Sequence, residues 1–345
     1  MPALHKACLV GCGRMGGTID DEMRSHPYYV LPHTHAGACD AVDGVDLVAA
    51  SDVVPQKVAE LCKRYRVPKG YDDYREMIEC EKPDILCIAT RPDNHAEITV
   101  FAAEHGVKGI YCDKPLCGSM AEADVMLDVC NNHNVKFNYG TNRRFVPMFQ
   151  AARKIIDMGD IGELQSVTAL TSSVAQWGLT HASDMLLYLA QDAEIDFVQG
   201  HITVDDSDWD GDHLAKDPPV NMGYVQFKNG VRGYVVTGTG YEFEVSGSQG
   251  RLRTTNDTEA LIFRRQGKHK LLSEMPRPPY ARESGTVNAI RDLVRALETD
   301  SDTKGNLSLA CRSQEMILAF CESHRRDGGR TCVPLQNRDV YVGTW

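Results

Sequence analysis

The stretch Ala7-Cys8-Leu9-Val10-Gly11-Cys12-Gly13-Arg14-Met15-Gly16 joins a short apolar run to three glycines spaced G-x-G-x-x-G, and the helix-like RMGGTIDDEMRS follows from Arg14. An all-apolar run of this length suits a strand covered on both faces. Gly11 permits a tight turn, Gly13 lets the backbone approach a pyrophosphate, and Gly16 lets the helix pack closely on the strand, with phosphates at the helix N-terminus. Gly11, Cys12, Gly13, Arg14, Met15 and Gly16 are therefore candidate dinucleotide-binding residues. The bland alternative is a glycine-rich strand–helix turn that binds nothing.

Working outward, the same alternation continues. VDLVAAS (Val45 to Ser51) reads as the next strand, with a helix from about Pro55 to Tyr65, where proline is tolerated in the first turn. DILCIAT (Asp84 to Thr90), the helix NHAEITVFAAEHG, GIYCD (Gly109 to Asp113), a helix from about Ser119 to His133, and VKFNYG (Val135 to Gly140) complete the series. Short apolar strands alternating with helices predict an α/β, doubly wound parallel sheet of the Rossmann type. After about residue 145 the texture changes. A helix over Phe149 to Met158 and another from Gly178 to Ala190 precede long β-patterned stretches, in which VNMGYVQF and VRGYVVTG flank Asn229-Gly230, a strong hairpin signal. FEVSGSQGRLRT and ALIFRRQGKHKLL predict further hairpins, and helices of about Val287 to Glu298 and Leu307 to His324 close the chain. The expected organisation is a dinucleotide-binding domain over 1–145 and an α+β domain with a largely antiparallel open sheet over 146–345.

Composition narrows the function. The 345 residues carry 37 Lys+Arg against 48 Asp+Glu, a net charge of −11. A chain this acidic is repelled by phosphate backbones and by anionic membrane surfaces, so neither nucleic acid nor a membrane is an expected partner. No apolar run approaches the roughly 20 residues needed to span a bilayer, and the start lacks a signal-peptide pattern. The twelve cysteines include no C-x-x-C, and many fall inside apolar segments. Free thiols in a reducing cytoplasm are the expectation. No His/Cys cluster has zinc spacing. Asp206-Ser207-Asp208-Trp209-Asp210-Gly211, with Asp217 in the twelfth place, approaches a calcium loop but ends in Asp rather than Glu and lacks flanking helices. It is read as a solvated acidic loop, with no metal expected.

The second strand ends at Asp52, where a carboxylate accepts hydrogen bonds from the ribose hydroxyls of NAD and repels a 2′-phosphate. Asp52 follows Gly16 by 36 residues, against roughly 20 in the usual motif. HPYYVLPHTHAGACDAVDG is then an inserted loop. NAD is the expected cofactor, with NADP left open.

With these residues, Thr90-Arg91-Pro92-Asp93-Asn94-His95, Asp113-Lys114-Pro115 and Asn142-Arg143-Arg144-Phe145 in view, the chain resembles the glucose–fructose oxidoreductase / inositol dehydrogenase / MocA family. The first element is similar to that family's T-P-x-x-x-H, the second to its E-K-P, and the third to its N-x-R-F. The resemblance implies that Thr90, Pro92, His95 and Lys114 contact the cofactor and that the Lys114–Pro115 peptide is cis. It implies a catalytic Lys114 beside nicotinamide and substrate, and Asn142 and Arg144 in the substrate site.

In WGLTHASDMLLYL, His181 and Asp184 lie three apart on one helical face. His181 matches the histidine of the family's D-x-x-x-H-x-x-D element and suits removal of an alcohol proton. Asp184 is a candidate substrate-site group. Trp177 stands where many members carry Asp. It is read either as a flat apolar face for a sugar ring or as a core residue.

Together these imply an NAD(P)-dependent oxidoreductase that moves hydride between nicotinamide and a secondary alcohol or ketone of a sugar, cyclitol or related polyol. The resemblance further implies that the second domain binds substrate and that the protein forms a homodimer or homotetramer. Two alternatives stay open: glycoside cleavage through transient C3 oxidation and elimination, and a non-catalytic dinucleotide-binding sensor.

Overall fold

The computed structural model describes residues 4–344. The chain divides into two compact units, one taking the chain through Cys117, Glu122–Phe145 and Glu283–Ala310, the other Gly118–Ala121, Val146–Arg282 and the chain from Cys311 on.

In the first unit, β1 (His5–Val10), β2 (Val45–Ser51), β3 (Lys69–Tyr71), β4 (Ile85–Ile88), β5 (Gly109–Cys112) and β6 (Lys136–Tyr139) form one sheet in the order β3-β2-β1-β4-β5-β6. All five pairings are parallel. Every residue of β4 and β5 is buried, as expected of strands with helices on both faces. The strand order reverses direction between β1 and β4. In sheets of this kind the crevice at the carboxyl ends of those two strands takes the ligand.

Local chemistry sets the helix ends. Pro55 starts the helix Pro55–Tyr65, and the Asp73 side chain accepts from the amide of Arg75 at 2.8 Å to start Tyr74–Glu81. The predicted helix after the glycine turn is broken in two, a π-turn over Arg14–Thr18 and a single turn over Ile19–Met23. The inserted loop then folds into a short helix, His35–Asp40, capped by Thr34.

Residues 283–310 return to the first unit instead of staying with the second. The reason is apolar burial along the helix Gly285–Thr299. Ala289, Ile290 and Leu293 are fully buried and share a core with Tyr111 of β5, Phe145 and Ala38. Ser284 caps this helix by accepting from the amide of Val287 at 3.2 Å.

The second unit carries a ten-stranded sheet. Its strands are β7 (Leu164–Thr171), β8 (Ser173–Val174), β9 (Ile195–Ile202), β12 (Pro219–Phe227), β13 (Arg232–Val236), β14 (Tyr241–Gly247), β15 (Gly250–Thr255), β16 (Ala260–Gln266), β17 (Leu272–Glu274) and β18 (Thr331–Cys332). Only β7 and β13 pair parallel. The hairpin β12–β13 turns at Gly230, whose φ is +86°, as Asn-Gly predicts. A small sheet of β10 (Trp209–Asp210), β11 (His213–Leu214) and β19 (Tyr341–Val342) lies apart from it. The helices Pro147–Asp157 and Leu179–Leu189 cover one face of the large sheet, with Phe149 edge-on to Phe243 at 5.8 Å.

Leu293→Ala would empty part of the shared core beneath β5 and should cost about 2–5 kcal/mol. Urea unfolding of wild type and variant, followed by circular dichroism, measures this directly.

Candidate active site

The glycine turn sits at the point where the sheet reverses. Gly11 has φ +96°, and a Cβ there would lie 2.5 Å from the carbonyl oxygen of Ala89, just past β4. Only glycine meets both conditions. A Cβ at Gly16 would lie 2.0 Å from the Gly11 carbonyl oxygen, so the π-turn rests directly on the strand end. At Gly13, by contrast, nothing lies within 4 Å of a Cβ position, and the backbone is open to an incoming group.

Asp52 closes the turn from the second strand. Its Oδ2 accepts from the Cys12 amide at 2.8 Å and its Oδ1 from the Val54 amide at 2.9 Å. Each oxygen keeps a second lone pair, and the residue is half-buried. The long interval after Gly16 therefore does not displace Asp52 from the glycine turn. Arg14 is spent on a bidentate pair with Glu22, with contacts of 2.8–2.9 Å. Cys12 is buried, and burial pushes its thiol up to about 12, so it is a packing residue and not a nucleophile.

Lys114 follows β5, half-buried, and its peptide to Pro115 is cis. His95 holds this turn. Its Nδ1 lies 3.0 Å from the Pro115 carbonyl oxygen and 3.2 Å from that of Leu116, while Nε2 faces the Thr90 carbonyl at 3.3 Å. The ring is 0% exposed, and burial lowers its pKa. His95, expected at the cofactor, is thus a brace between the ends of β4 and β5. Pro92 is buried in the adjoining turn, whereas Thr90 is half-buried at its mouth.

Asp113 is the group that sequence reasoning missed. It is 3% exposed, its Oδ1 is buried without a hydrogen-bond partner, and burial raises its pKa to about 6 against the opposing pull of the Lys114 ammonium and amide. Its position inside the D-K-P element was the available signal, but adjacency alone does not reveal an unmet acceptor. An open glycine turn, a strand-end carboxylate and this unmet acceptor, all at carboxyl ends of one sheet, fit a dinucleotide with hydroxyl groups to donate.

After β6 the two substrate-site candidates separate. Asn142 is half-buried, its Nδ2 3.5 Å from both His33 Nδ1 and Thr286 Oγ1. Arg144 is 1% exposed and donates to the Lys304 carbonyl at 2.8 Å. This bond ties the turn after β6 to the segment that follows the helix Gly285–Thr299.

In the second unit, His181 lies in the first turn of Leu179–Leu189, half-buried, with Asp184 on the same face but 1% exposed. The loop before that helix is fixed from two sides. Asp217 accepts from the amides of Gln176 at 2.7 Å and Trp177 at 2.9 Å. Trp177 is half-buried and its indole N–H donates to the Thr344 carbonyl at 3.0 Å, leaving ring surface rather than polar capacity. The other acidic-loop residues have separate partners: Asp208 pairs with Lys216, and Asp212 with Arg325 at 2.8 Å.

Residues 6–141 match the model of an oxidoreductase family with an NAD-binding Rossmann fold. Myo-inositol 2-dehydrogenase of Thermotoga maritima is 26% identical over 251 residues, which cover 66% of this chain and 73% of that protein. Inositol 2-dehydrogenase of Rhizobium meliloti is 31% identical over 160 residues, 46% of this chain and 43% of that protein, so this chain spans under half of that relative's length. The solved structure of levoglucosan dehydrogenase in complex with NADH and levoglucosan shares the fold, with a TM-score of 0.76 at 21% identity over 96% of this chain and 99% of that one. No helix among the described residues is long and apolar enough to cross a membrane.

A carboxyl whose pKa rises from 3.8 to about 6 on folding binds its proton more tightly in the folded state. Its contribution to stability is therefore fullest below pH 3.8 and is lost as pH rises through 6. Asp113→Asn should raise the thermal unfolding midpoint at pH 8, by up to about 3 kcal/mol of stability. The gain should shrink between pH 6 and pH 4, as calorimetry at both ends would show.

Proposed function

We propose that the chain, whose residues 6–141 match an oxidoreductase family with an NAD-binding Rossmann fold and which resembles the glucose–fructose oxidoreductase / inositol dehydrogenase / MocA family, interconverts a secondary alcohol and a ketone on a sugar, cyclitol or related polyol. The observation that carries this reading is Lys114. It stands half-buried at the carboxyl end of β5, in a turn held by the buried His95, beside the unmet acceptor of Asp113. A lysine so fixed is suited to an anionic oxygen in a reaction, not to general solubility. That two relatives carry inositol dehydrogenase names supports a polyhydroxylated ring as the substrate class.

Bound NAD supplies the hydride acceptor. Asp52 accepts hydrogen bonds from ribose hydroxyls, and the open backbone at Gly13 admits the pyrophosphate. In the oxidative direction the Lys114 ammonium donates to the substrate oxygen and stabilises it as the O–H proton leaves and the carbon loses hydride. His181, in the second unit, is the candidate general base for such a proton. Asp184, buried three residues along the same helix, remains the candidate carboxylate of the substrate site. Trp177 offers the face of its ring to the C–H side of the substrate. The half-buried aromatic residues Tyr224 and Tyr234 of the large sheet support association of copies as a homodimer or homotetramer, which light scattering measures.

The test is reduced-nicotinamide fluorescence over a panel of polyols, aldoses and glycosides, run in parallel with NAD and NADP. Turnover with stoichiometric NADH is expected for at least one polyol, with NAD preferred. A clear preference for NADP would remove the role given to Asp52, and glycoside cleavage without net NADH would replace net oxidation. Lys114→Ala should lower kcat about 10²–10⁴-fold. His181→Ala should lower kcat about 10²-fold.

A further inference from the structure

Between the glycine-turn helix and β2 the chain makes an excursion that the strand–helix alternation does not require, from about residue 24 to residue 44. We propose that this segment supplies a specificity-determining residue, His33, which with Asn142 reads the hydroxyl groups of the substrate ring. The inference rests on the polyol reading above and extends it to a part of the chain outside the recognised motifs.

The first observation is that the excursion is anchored, not loose. One buried carboxylate, Asp20, accepts from the His33 amide at 2.6 Å, the Thr34 amide at 3.1 Å and the Thr34 hydroxyl at 2.8 Å. Tyr65 ties the same threonine to the glycine turn, its hydroxyl 3.1 Å from Thr34 Oγ1 and 2.9 Å from the Gly17 carbonyl. On the other side Ser284 donates to the Pro32 carbonyl at 2.5 Å. Three separate elements therefore set the place of His33 independently of any ligand. Such preorganisation is what a recognition residue needs.

The second observation is where this anchoring leaves the ring. Its Nδ1 lies 3.5 Å from Nδ2 of Asn142, in the turn after β6, and Thr286 Oγ1 is equally far from that nitrogen. Imidazole, carboxamide and hydroxyl thus meet past the carboxyl end of β6, the edge of a doubly wound sheet at which ligands bind. Between them they offer donors and acceptors of the kind that vicinal hydroxyls match.

The third is the aromatic row behind His33. His26 stacks on Tyr29 at 3.8 Å and 13°, and Tyr29 meets His33 edge-on at 5.4 Å and 88°. All three rings are half-buried. Apolar ring faces next to a few convergent polar groups are the chemistry that recognises a polyhydroxylated ring, with its C–H faces and hydroxyl edges.

The experiment compares wild type with His33→Ala, His33→Gln, Asn142→Ala and His33→Ala/Asn142→Ala on the best polyol of the panel and on its epimers. His33→Ala should raise KM about tenfold, the loss of one or two hydrogen bonds. It should also reorder the epimers by kcat/KM while leaving the NADH dissociation constant and the thermal midpoint close to wild type. His33→Gln, which keeps a polar tip, should recover part of the affinity. The double variant should lose less than the product of the two single losses if the residues read the same hydroxyls. Turnover with KM and epimer order unchanged in His33→Ala overturns this inference alone. No turnover by the wild type overturns the polyol reading and this inference with it. A lower thermal midpoint in His33→Ala that His33→Gln restores, without restoring KM, assigns His33 to packing and also overturns it.

Discussion

No side chain fits at residue 11, and the first unit is organised around that fact. The end of β1 and the residue after β4 approach so closely that a Cβ at Gly11 would strike the Ala89 carbonyl, while φ there is positive. The close crossing lets the next turn settle on the strand, with Gly16 against the Gly11 carbonyl. It also brings the Cys12 amide within reach of Asp52 on β2. Three strand ends are thereby drawn together at the point where the sheet reverses, and the backbone at Gly13 is left with open space around it. A dinucleotide site follows from a packing constraint before any ligand-binding side chain is considered.

Around that point, buried polar groups hold the loops that carry exposed ones. His95 spans the carbonyls of Thr90 and Pro115, Arg144 reaches the Lys304 carbonyl, and Asp20 gathers three donors from the inserted segment. The second unit repeats the device. Gln176 is 0% exposed and joins Gln314 at 2.8 Å to the Val342 carbonyl at 2.9 Å, while Asp217 caps the loop that leads into the His181 helix. Each such group would be costly if left unpaired, so its pairing selects one loop conformation over others. Lys114, after β5, and the loop before the His181 helix are each held in this way by neighbours of their own unit.

Much of this was legible beforehand, for identifiable reasons. Strands such as Ile85–Ile88 and the hairpin at Asn229-Gly230 announce themselves through local pattern, and local pattern is what short-range backbone geometry enforces. Motif resemblance located Lys114 and Asp52 correctly at strand ends. It did not separate residues that touch a ligand from residues that support them, because a family motif records both alike. His95 and Arg144 stand in recognised elements and turn out fully buried. Asp113 and His33 were passed over because nothing in their flanking residues signals an unmet acceptor or a neighbour more than a hundred positions away.

The sequence by itself determined the parallel sheet, the glycine turn, the strand-end carboxylate and the change to an antiparallel second half. These depend on the period of apolar residues and on the backbone freedom of glycine, both properties of a few consecutive positions. Only the tertiary structure decided that Gly285–Thr299 returns to the first sheet, that the long insertion leaves Asp52 beside Cys12, and that His33 comes to rest against Asn142. An amphipathic helix shows that it has a face to bury but not which surface will bury it, and a loop shows its length but not its anchor. Those choices are made by contacts between distant residues, through burial and hydrogen bonding that exist only once the chain has closed on itself.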